Sequence, residues 1–211
     1  MNVASTSLAC GSSSRPVAAY TAAAMDAGSS DEELMMRFAA GDPVAFDALY
    51  ARHRGGVFRY LLRQCQNRAT AEELFQDVWM NLVHARSRYK VQAKFATYLY
   101  TLAHNRLIDH FRHHKRLRLV PLGEDDADPL ELPASPALEP ERGAQAREQA
   151  ARLLQLVAEL PDVQREAFLL HEEGELTLDE IAHVTGANRE TVKSRLRYAM
   201  DKLREGMKDY L

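Results

Sequence analysis

Cysteine is scarce. In 211 residues only Cys10 and Cys65 carry a thiol, and neither belongs to a Cys-x-x-Cys pair. That excludes a disulfide framework and a zinc ribbon, and the usage fits a reducing compartment. No run approaches the roughly 18 apolar residues of a transmembrane helix, so no membrane insertion is expected and the chain reads as cytoplasmic. A secretory signal is missing too: Arg15 is the only early base, and Val17–Met25 is mostly alanine interrupted by Tyr20 and Thr21. There is no Gly-rich phosphate loop ending in Gly-Lys-Ser/Thr, no Gly-x-Ser-x-Gly elbow and no His-Glu-x-x-His pair. No catalytic residue and no cofactor is therefore expected, and the chain does not read as an enzyme. His110, His113 and His114 have helical spacing for metal ligands but lack an acidic or cysteine partner. They read as donors beside phosphate, and no metal is expected.

What the chain does have is charge arranged in blocks. A formal net charge of −3 argues against a polyanionic partner until it is divided by segment. Residues 31–116 hold 14 Lys+Arg against 9 Asp+Glu, with six histidines besides. Residues 117–150 hold 3 against 8, residues 151–188 hold 2 against 8, and residues 189–211 hold 7 against 4. A polyanion senses local charge within a Debye length of about 8–10 Å. Two separated basic surfaces are the first functional hint.

No stretch alternates apolar and polar residues at period two, so an all-α fold is expected. Residues 1–29 are Ala/Ser-rich and read as a disordered tail. Ser30-Asp-Glu-Glu33 is a capping box for a short helix ended by Gly41, and Asp42-Pro43 opens a second. Phe46, Leu49, Tyr50, Val57, Phe58, Leu61 and Cys65 carry that helix at three- and four-residue steps. Thr70-Ala-Glu-Glu73 predicts another start, running through Leu74, Val78, Leu82 and Val83. After a loop at 86–94, a helix over 95–116 places Phe95, Leu99, Leu102, Ile108 and Phe111 inward. Between Pro121 and Pro140 lie five prolines and six acids, too little apolar surface to offset ordering, so residues 117–150 read as a flexible acidic linker. Helix resumes near Glu141 with Leu153, Leu154, Val157 and Leu160, then over 162–173 until Gly174 ends it.

The sharpest pattern lies near the end. Thr177-Leu-Asp-Glu180 caps a short helix, Gly186 supplies a left-handed turn, and Asn188 caps a second helix over 189–205. Small Ala182 lets the second helix cross closely, and Ile181, Val192 and Leu196 fill the wedge of a helix-turn-helix. Arg189, Glu190, Lys193, Ser194 and Arg197 remain outward. An α-helix fits the major groove, where Arg suits guanine, Glu can accept from cytosine, and Ser or Lys takes phosphate. The bland reading is an αα-hairpin with a solvated basic face. A second surface comes from 94–116: with Leu99, Leu102 and Ile108 inward, Tyr98, Asn105, Arg106, Asp109, Arg112, His113 and Arg116 fall outward. Aromatic, amide and guanidinium groups on one face suit stacked, unpaired bases and their phosphates. Periodicity alone allows equally that these aromatics are core and the charges solvated.

Phe38-Ala-Ala-Gly-Asp42, Phe46-Asp-Ala-Leu-Tyr50, Ala71-Glu-Glu-Leu-Phe-Gln-Asp77, Phe95-Ala-Thr-Tyr-Leu-Tyr100, Asn105-Arg-Leu-Ile-Asp109, Leu160-Pro161 and Thr191-Val-Lys-Ser-Arg-Leu196 stand in order along the chain. Together they resemble the sigma-70 family, region 2 over Glu33–Arg116 and region 4 over Leu156–Glu205, in the extracytoplasmic-function (ECF, group IV) class. The resemblance implies two helical domains, 30–116 and 151–211, joined by the linker. It implies a dissociable initiation subunit of bacterial RNA polymerase, monomeric when free, serving a stress or envelope response. Glu72, Glu73, Phe75, Gln76 and Asp77 would dock core RNA polymerase. The 86–94 loop with Lys94, Tyr98, Asn105, Arg106, Asp109, Arg112, His113 and Arg116 would open and hold the −10 element as single strand. Tyr98 stands where many relatives have tryptophan. Arg189, Glu190, Lys193, Ser194 and Arg197 would read duplex −35 promoter DNA. An anti-sigma factor is the implied inhibitor, and holding the halves together would mask both DNA faces. The competing readings are a ligand-responsive helix-turn-helix regulator acting without polymerase, and a structural or anti-sigma-like adaptor.

Overall fold

The computed structural model describes residues 28–117 and 140–210. Among the described residues there are eight α-helices, two short 3-10 turns and no strand, which matches the all-α reading. Most of the expected tail (1–29) and of the expected linker (117–150) lies outside the described residues.

Capping chemistry starts most of the helices. Ser30 Oγ accepts from the Glu33 amide at 3.2 Å while Glu33 accepts from the Ser30 amide at 3.0 Å, closing the reciprocal cap of α1 (Asp31–Ala39). Asp42 accepts from the Val44 amide at 3.0 Å and opens α2 (Pro43–Cys65), with Pro43 where its missing N–H costs nothing. α3 (Arg68–Ala85) begins earlier than its Thr70 box suggests. Asn67 Oδ1 accepts from the Thr70 amide at 2.9 Å, so Thr70 sits inside the first turn. Asn caps at least as well as Thr, and starting there extends the backbone ladder. A 3-10 turn, Arg86–Arg88, leads into the loop before α4 (Phe95–Leu117). No Ser, Thr, Asp or Asn precedes α4. Its cap comes from α1, where Glu32 Oε1 accepts from the Phe95 amide at 2.7 Å.

Leu34, Leu49, Leu61, Val78, Phe95 and Leu99 are fully buried among these four helices. The inward stripe of α4 departs from expectation. Phe95, Leu99, Ala103 and Leu107 are buried at steps of four, together with Tyr100, whereas Leu102 and Ile108 are half-buried and Phe111 is 43% exposed. α4 lies between α3 and the helices of the second half, so two flanks are covered and small Ala103 permits close approach.

The second half begins with α5 (Pro140–Ala158), which starts where helix was expected to resume near Glu141 and so takes in the last residues of the stretch read as linker. It buries Leu156 and Val157, and Leu160 follows just beyond its end; Leu153 is exposed. In α6 (Asp162–Gly174) the expected terminator Gly174 is the last helical residue, and Glu175 takes the left-handed conformation at φ 52°. Gly174 serves closeness instead, because a Cβ there would stand 3.1 Å from the Tyr100 ring. α7 (Leu178–Thr185) and α8 (Arg189–Gly206) follow, with Gly186 left-handed at φ 65° between them.

One apolar core runs through both halves. At the seam, Glu173 keeps 5% of its side chain exposed and accepts from Arg59 Nε at 2.7 Å and from Arg63. Tyr100 Oη donates to the Glu173 carbonyl at 2.6 Å, and His104 Nδ1 lies 2.6 Å from Glu166. Arg165, nearly fully buried, pairs with Asp162 at 2.7 Å and donates to the carbonyls of Ala158 at the end of α5 and of Leu160 just beyond it, and to Gln64 on α2. A buried guanidinium is tolerated because these groups satisfy its donors.

Candidate nucleic-acid interface

The helix-turn-helix forms as its sequence suggests. Thr177 and Glu180 cap each other at the start of α7, with amide contacts of 2.8 and 3.4 Å, and Asn188 accepts from the Thr191 amide at 2.7 Å at the start of α8. Ile181 and Val192 are fully buried, while Ala182 and Leu196 are half-buried at the wedge edge. Arg189, Glu190, Lys193 and Arg197 are exposed and Ser194 is half-buried. Glu190 sits 3.4 Å from Arg189 and 3.8 Å from Lys193, and the Arg197 guanidinium lies 5.0 Å over the Tyr198 ring. These are surface contacts worth little each, so the side chains can exchange them for base edges or phosphate at small cost.

On α4, Tyr98, Asn105, Asp109 and Arg112 share one stripe by helical spacing, with Tyr98 half-buried and the other three exposed. His113 is exposed nearby, and the side chain of Arg116 lies outside the described residues. Arg106 departs from this set. It points towards α3 and forms an ion pair with Asp77. Lys94, just before the helix, places Nζ 3.1 Å from Glu180 of α7.

Beside Tyr98 opens a cleft of about 300 Å³. Its walls include Arg88, Tyr89, Lys90, Thr97 and Tyr98, and His183 of α7 lines it as well. Tyr89 and Tyr98 lie 5.3 Å apart, ring to ring. Thr97 is 2% exposed, yet its hydroxyl has no hydrogen-bond partner among the described residues, and neither does Tyr89 Oη. Burial, aided by Glu32, pushes the Tyr89 hydroxyl up to about 12, so it stays a donor at neutral pH. Two aromatic rings and two bases make a cleft suited to a flat polar ring and an attached phosphate, with the two unpartnered hydroxyls buried behind its wall. Sequence reasoning named Tyr98 and the 86–94 loop that holds Tyr89 but missed Thr97 and His183, the latter brought to the cleft only by packing.

The residues expected to dock polymerase lie on α3. Glu72, Glu73 and Gln76 are exposed, and Arg68 lies 2.9 Å from Glu72. Phe75 is half-buried against Tyr50, Phe58 and Trp79. Asp77 faces α4 rather than this surface. Met80, 52% exposed, extends the Glu72–Gln76 ridge and was not foreseen. Cys65 has its thiol pushed up to about 12 by burial, which leaves it protonated and inert at neutral pH. Among the described residues no helix is long and apolar enough to cross a membrane.

The sigma-70 region 2 family model matches residues 49–117, and the sigma-70 region 4 model matches residues 150–203. The RNA polymerase sigma factor CarQ of Myxococcus xanthus is 31% identical over 171 residues, covering 81% of this chain and 94% of that protein. The chain belongs to the ECF sigma factors of the sigma-70 family. The ECF sigma factor RpoE of Cereibacter sphaeroides is likewise 31% identical, over 79% of this chain and 88% of its own length. Solved structures agree in fold. A sigma factor RpoE crystallised with the anti-sigma factor NepR from Bartonella quintana gives a TM-score of 0.64 at 19% identity, covering 77% of this sigma factor and 96% of that chain. CnrH in complex with the cytosolic domain of CnrY gives 0.59 at 21% identity, covering 86% and 99%. This sigma factor is thus a transcription initiation factor, and the ligand-responsive regulator is not supported.

Proposed function

We propose that this sigma factor carries its three contacts on three separate helices: core polymerase on α3, the melted −10 strand on α4 with its adjoining cleft, and the duplex −35 element on α8. The observation that carries this reading is the cleft beside Tyr98, where buried hydroxyls without partners sit among aromatic rings and bases. A flipped base stacked there contributes about 1–3 kcal/mol, enough to offset opening one or two weak base-pair steps. Asn105, Asp109 and Arg112 continue the same face and would follow the strand. Arg189, Glu190, Lys193, Ser194 and Arg197 would enter the major groove.

The polymerase performs the chemistry and this chain none. Polymerase also fixes the distance between α4 and α8, so two weak DNA contacts act as one strong one. Docking would use Glu72, Glu73, Gln76 and Met80 around Phe75, with Asp77 acting through Arg106 rather than at the contact. One structural neighbour was co-crystallised with an anti-sigma factor and another was solved in complex with the cytosolic domain of CnrY, which supports an anti-sigma partner here. The protein works in the cytoplasm on the nucleoid.

Run-off transcription with core polymerase and a promoter library tests the assignment. Specific transcripts are expected from the wild type. Tyr98→Ala should lose activity on duplex templates and regain most of it on templates already opened at −10. Equal activity of Tyr98→Ala on both templates overturns the −10 assignment.

A further inference from the structure

We propose that Glu32 is a positioning residue for strand opening: reaching across from α1 to cap α4, it fixes the gap between Tyr89 and Tyr98 into which a melted base stacks. This rests on the reading of the cleft given above.

The cleft has one wall on a loop and the other on a helix end. Tyr89 stands where the loop begins, Tyr98 lies at the end of the first turn of α4, and their rings are 5.3 Å apart. Residues 90–94 between them are all exposed, so no buried side chain of that stretch holds the two walls in register. α1 holds both ends instead, packing against the 3-10 turn and against α4. At one end the Arg86 guanidinium lies 5.6 Å over the Phe38 ring. At the other, Glu32 Oε1 accepts from the Phe95 amide at 2.7 Å, beside the bond from the Tyr98 amide to the Lys94 carbonyl that opens the helix. The first turn of α1 is itself pinned to α2, where Asp31 meets Arg52 at 2.6 Å and His53 at 2.5 Å. Glu32 therefore projects from a fixed base.

Access does not limit this site. Asn105, Asp109 and Arg112 are exposed on α4, as are Arg189, Lys193 and Arg197 on α8, so the two halves do not mask both DNA faces as expected from the sequence. The spacing of the cleft's walls is the limit instead. A carboxylate suits the task, because its bond to an amide is charge-assisted and it complements the positive end of the helix. Lys94, just before α4, carries donors only and cannot replace it. Without Glu32 the first turn of α4 frays, and Tyr98 leaves its place opposite Tyr89.

The test uses the full chain with core polymerase on a promoter taken from the run-off library, with 2-aminopurine in the −10 non-template strand reporting opening. Glu32→Ala is expected to slow opening roughly tenfold, the equilibrium cost of a lost cap, while core binding and closed-complex affinity stay at wild-type values. Glu32→Gln keeps the acceptor without the charge and should lose no more than about threefold. A template already opened at −10 should restore Glu32→Ala, and adding Glu32→Ala to Tyr98→Ala should slow opening no further. Four results each overturn the proposal: opening at the wild-type rate in Glu32→Ala, equal fractional losses on duplex and pre-opened templates, Glu32→Gln as slow as Glu32→Ala, or losses that multiply in the double variant. A slow Tyr98→Ala beside Glu32→Ala at the wild-type rate sinks the role of Glu32 alone. Tyr98→Ala at the wild-type rate sinks the cleft assignment beneath it.

Discussion

Asp77 on α3 and Arg106 on α4 form an ion pair across the packing of their two helices, each side chain a little over one-third exposed. The pair joins the helix proposed to dock polymerase to the helix proposed to hold the melted strand. It also removes both residues from the open surfaces on which their spacing placed them. A half-exposed pair of this kind couples by about 0.5–1 kcal/mol. Asp77→Ala, Arg106→Ala and the double variant, unfolded in urea, should give that coupling energy in a double-mutant cycle. Strict additivity would show that the two side chains act independently.

Arg197 is exposed on the recognition helix and rests over Tyr198. Losing a side chain that reaches a base edge costs about 1–3 kcal/mol and relaxes specificity at that position. Arg197→Ala should lower transcription from a strong promoter while narrowing its advantage over −35 variants of that promoter. If the ranking of those variants stays the same, Arg197 contacts phosphate or nothing.

Gly186 and Gly55 predict opposite outcomes for the same substitution. Gly186 sits at φ 65° with open space around its Cα, so alanine there meets only backbone strain, about 1–2 kcal/mol. Gly55 lies inside α2, and an added Cβ would meet only Arg59 Nη1 at 3.1 Å, the end of a long side chain that needs to shift by a few tenths of an ångström while its Nε keeps Glu173. Gly186→Ala should lower the melting temperature, and Gly55→Ala should raise it by the equivalent of about 0.5–1 kcal/mol. Calorimetry of the two variants decides.

Asp31 sets an acid limit on stability. Its burial works to raise its pKa, but hydrogen bonds from His53 at 2.5 Å and Arg52 at 2.6 Å outweigh this and hold the carboxyl below its ordinary 3.8. A lowered folded value means that the unfolded chain binds the proton more tightly. The contribution is thus complete above about pH 4 and is lost as pH falls through the folded value. Asp31→Asn should lower stability at neutral pH and flatten the loss below about pH 4, measured as urea midpoint against pH. A variant with the same acid slope as the wild type would place the effect on other carboxylates.

Much of the fold was legible because it is written locally. Ser30 with Glu33, Asp42 with Pro43, Thr177 with Glu180 and Asn188 each start a helix within four residues of themselves, and each forms as read. The outward face of α8 follows from buried Val192 alone, since a helix leaves its other residues no choice of side. Errors arose both in local contests and where tertiary packing decided. Asn67 displaced Thr70 as a cap by one turn, which remains a local contest. Phe111 was read inward by period, yet among the described residues nothing packs over it closely enough to bury it. Gly174 was read as a stop because glycine often ends helices; the close approach of Tyr100 is the reason it is there.

The order of helices, their caps, the helix-turn-helix and the alternation of basic and acidic blocks were decided by the amino-acid sequence itself, because all of them depend on neighbours within a turn or two. Tertiary structure decided the rest: that Glu32 caps α4, that Arg106 turns to Asp77, and that Thr97, Tyr89 and His183 line one cleft. Glu32 and Phe95, Asp77 and Arg106, and Thr97 and His183 lie tens of residues apart in the chain. No periodicity encodes them, and only the packing of one helix on another brings their side chains within bonding distance.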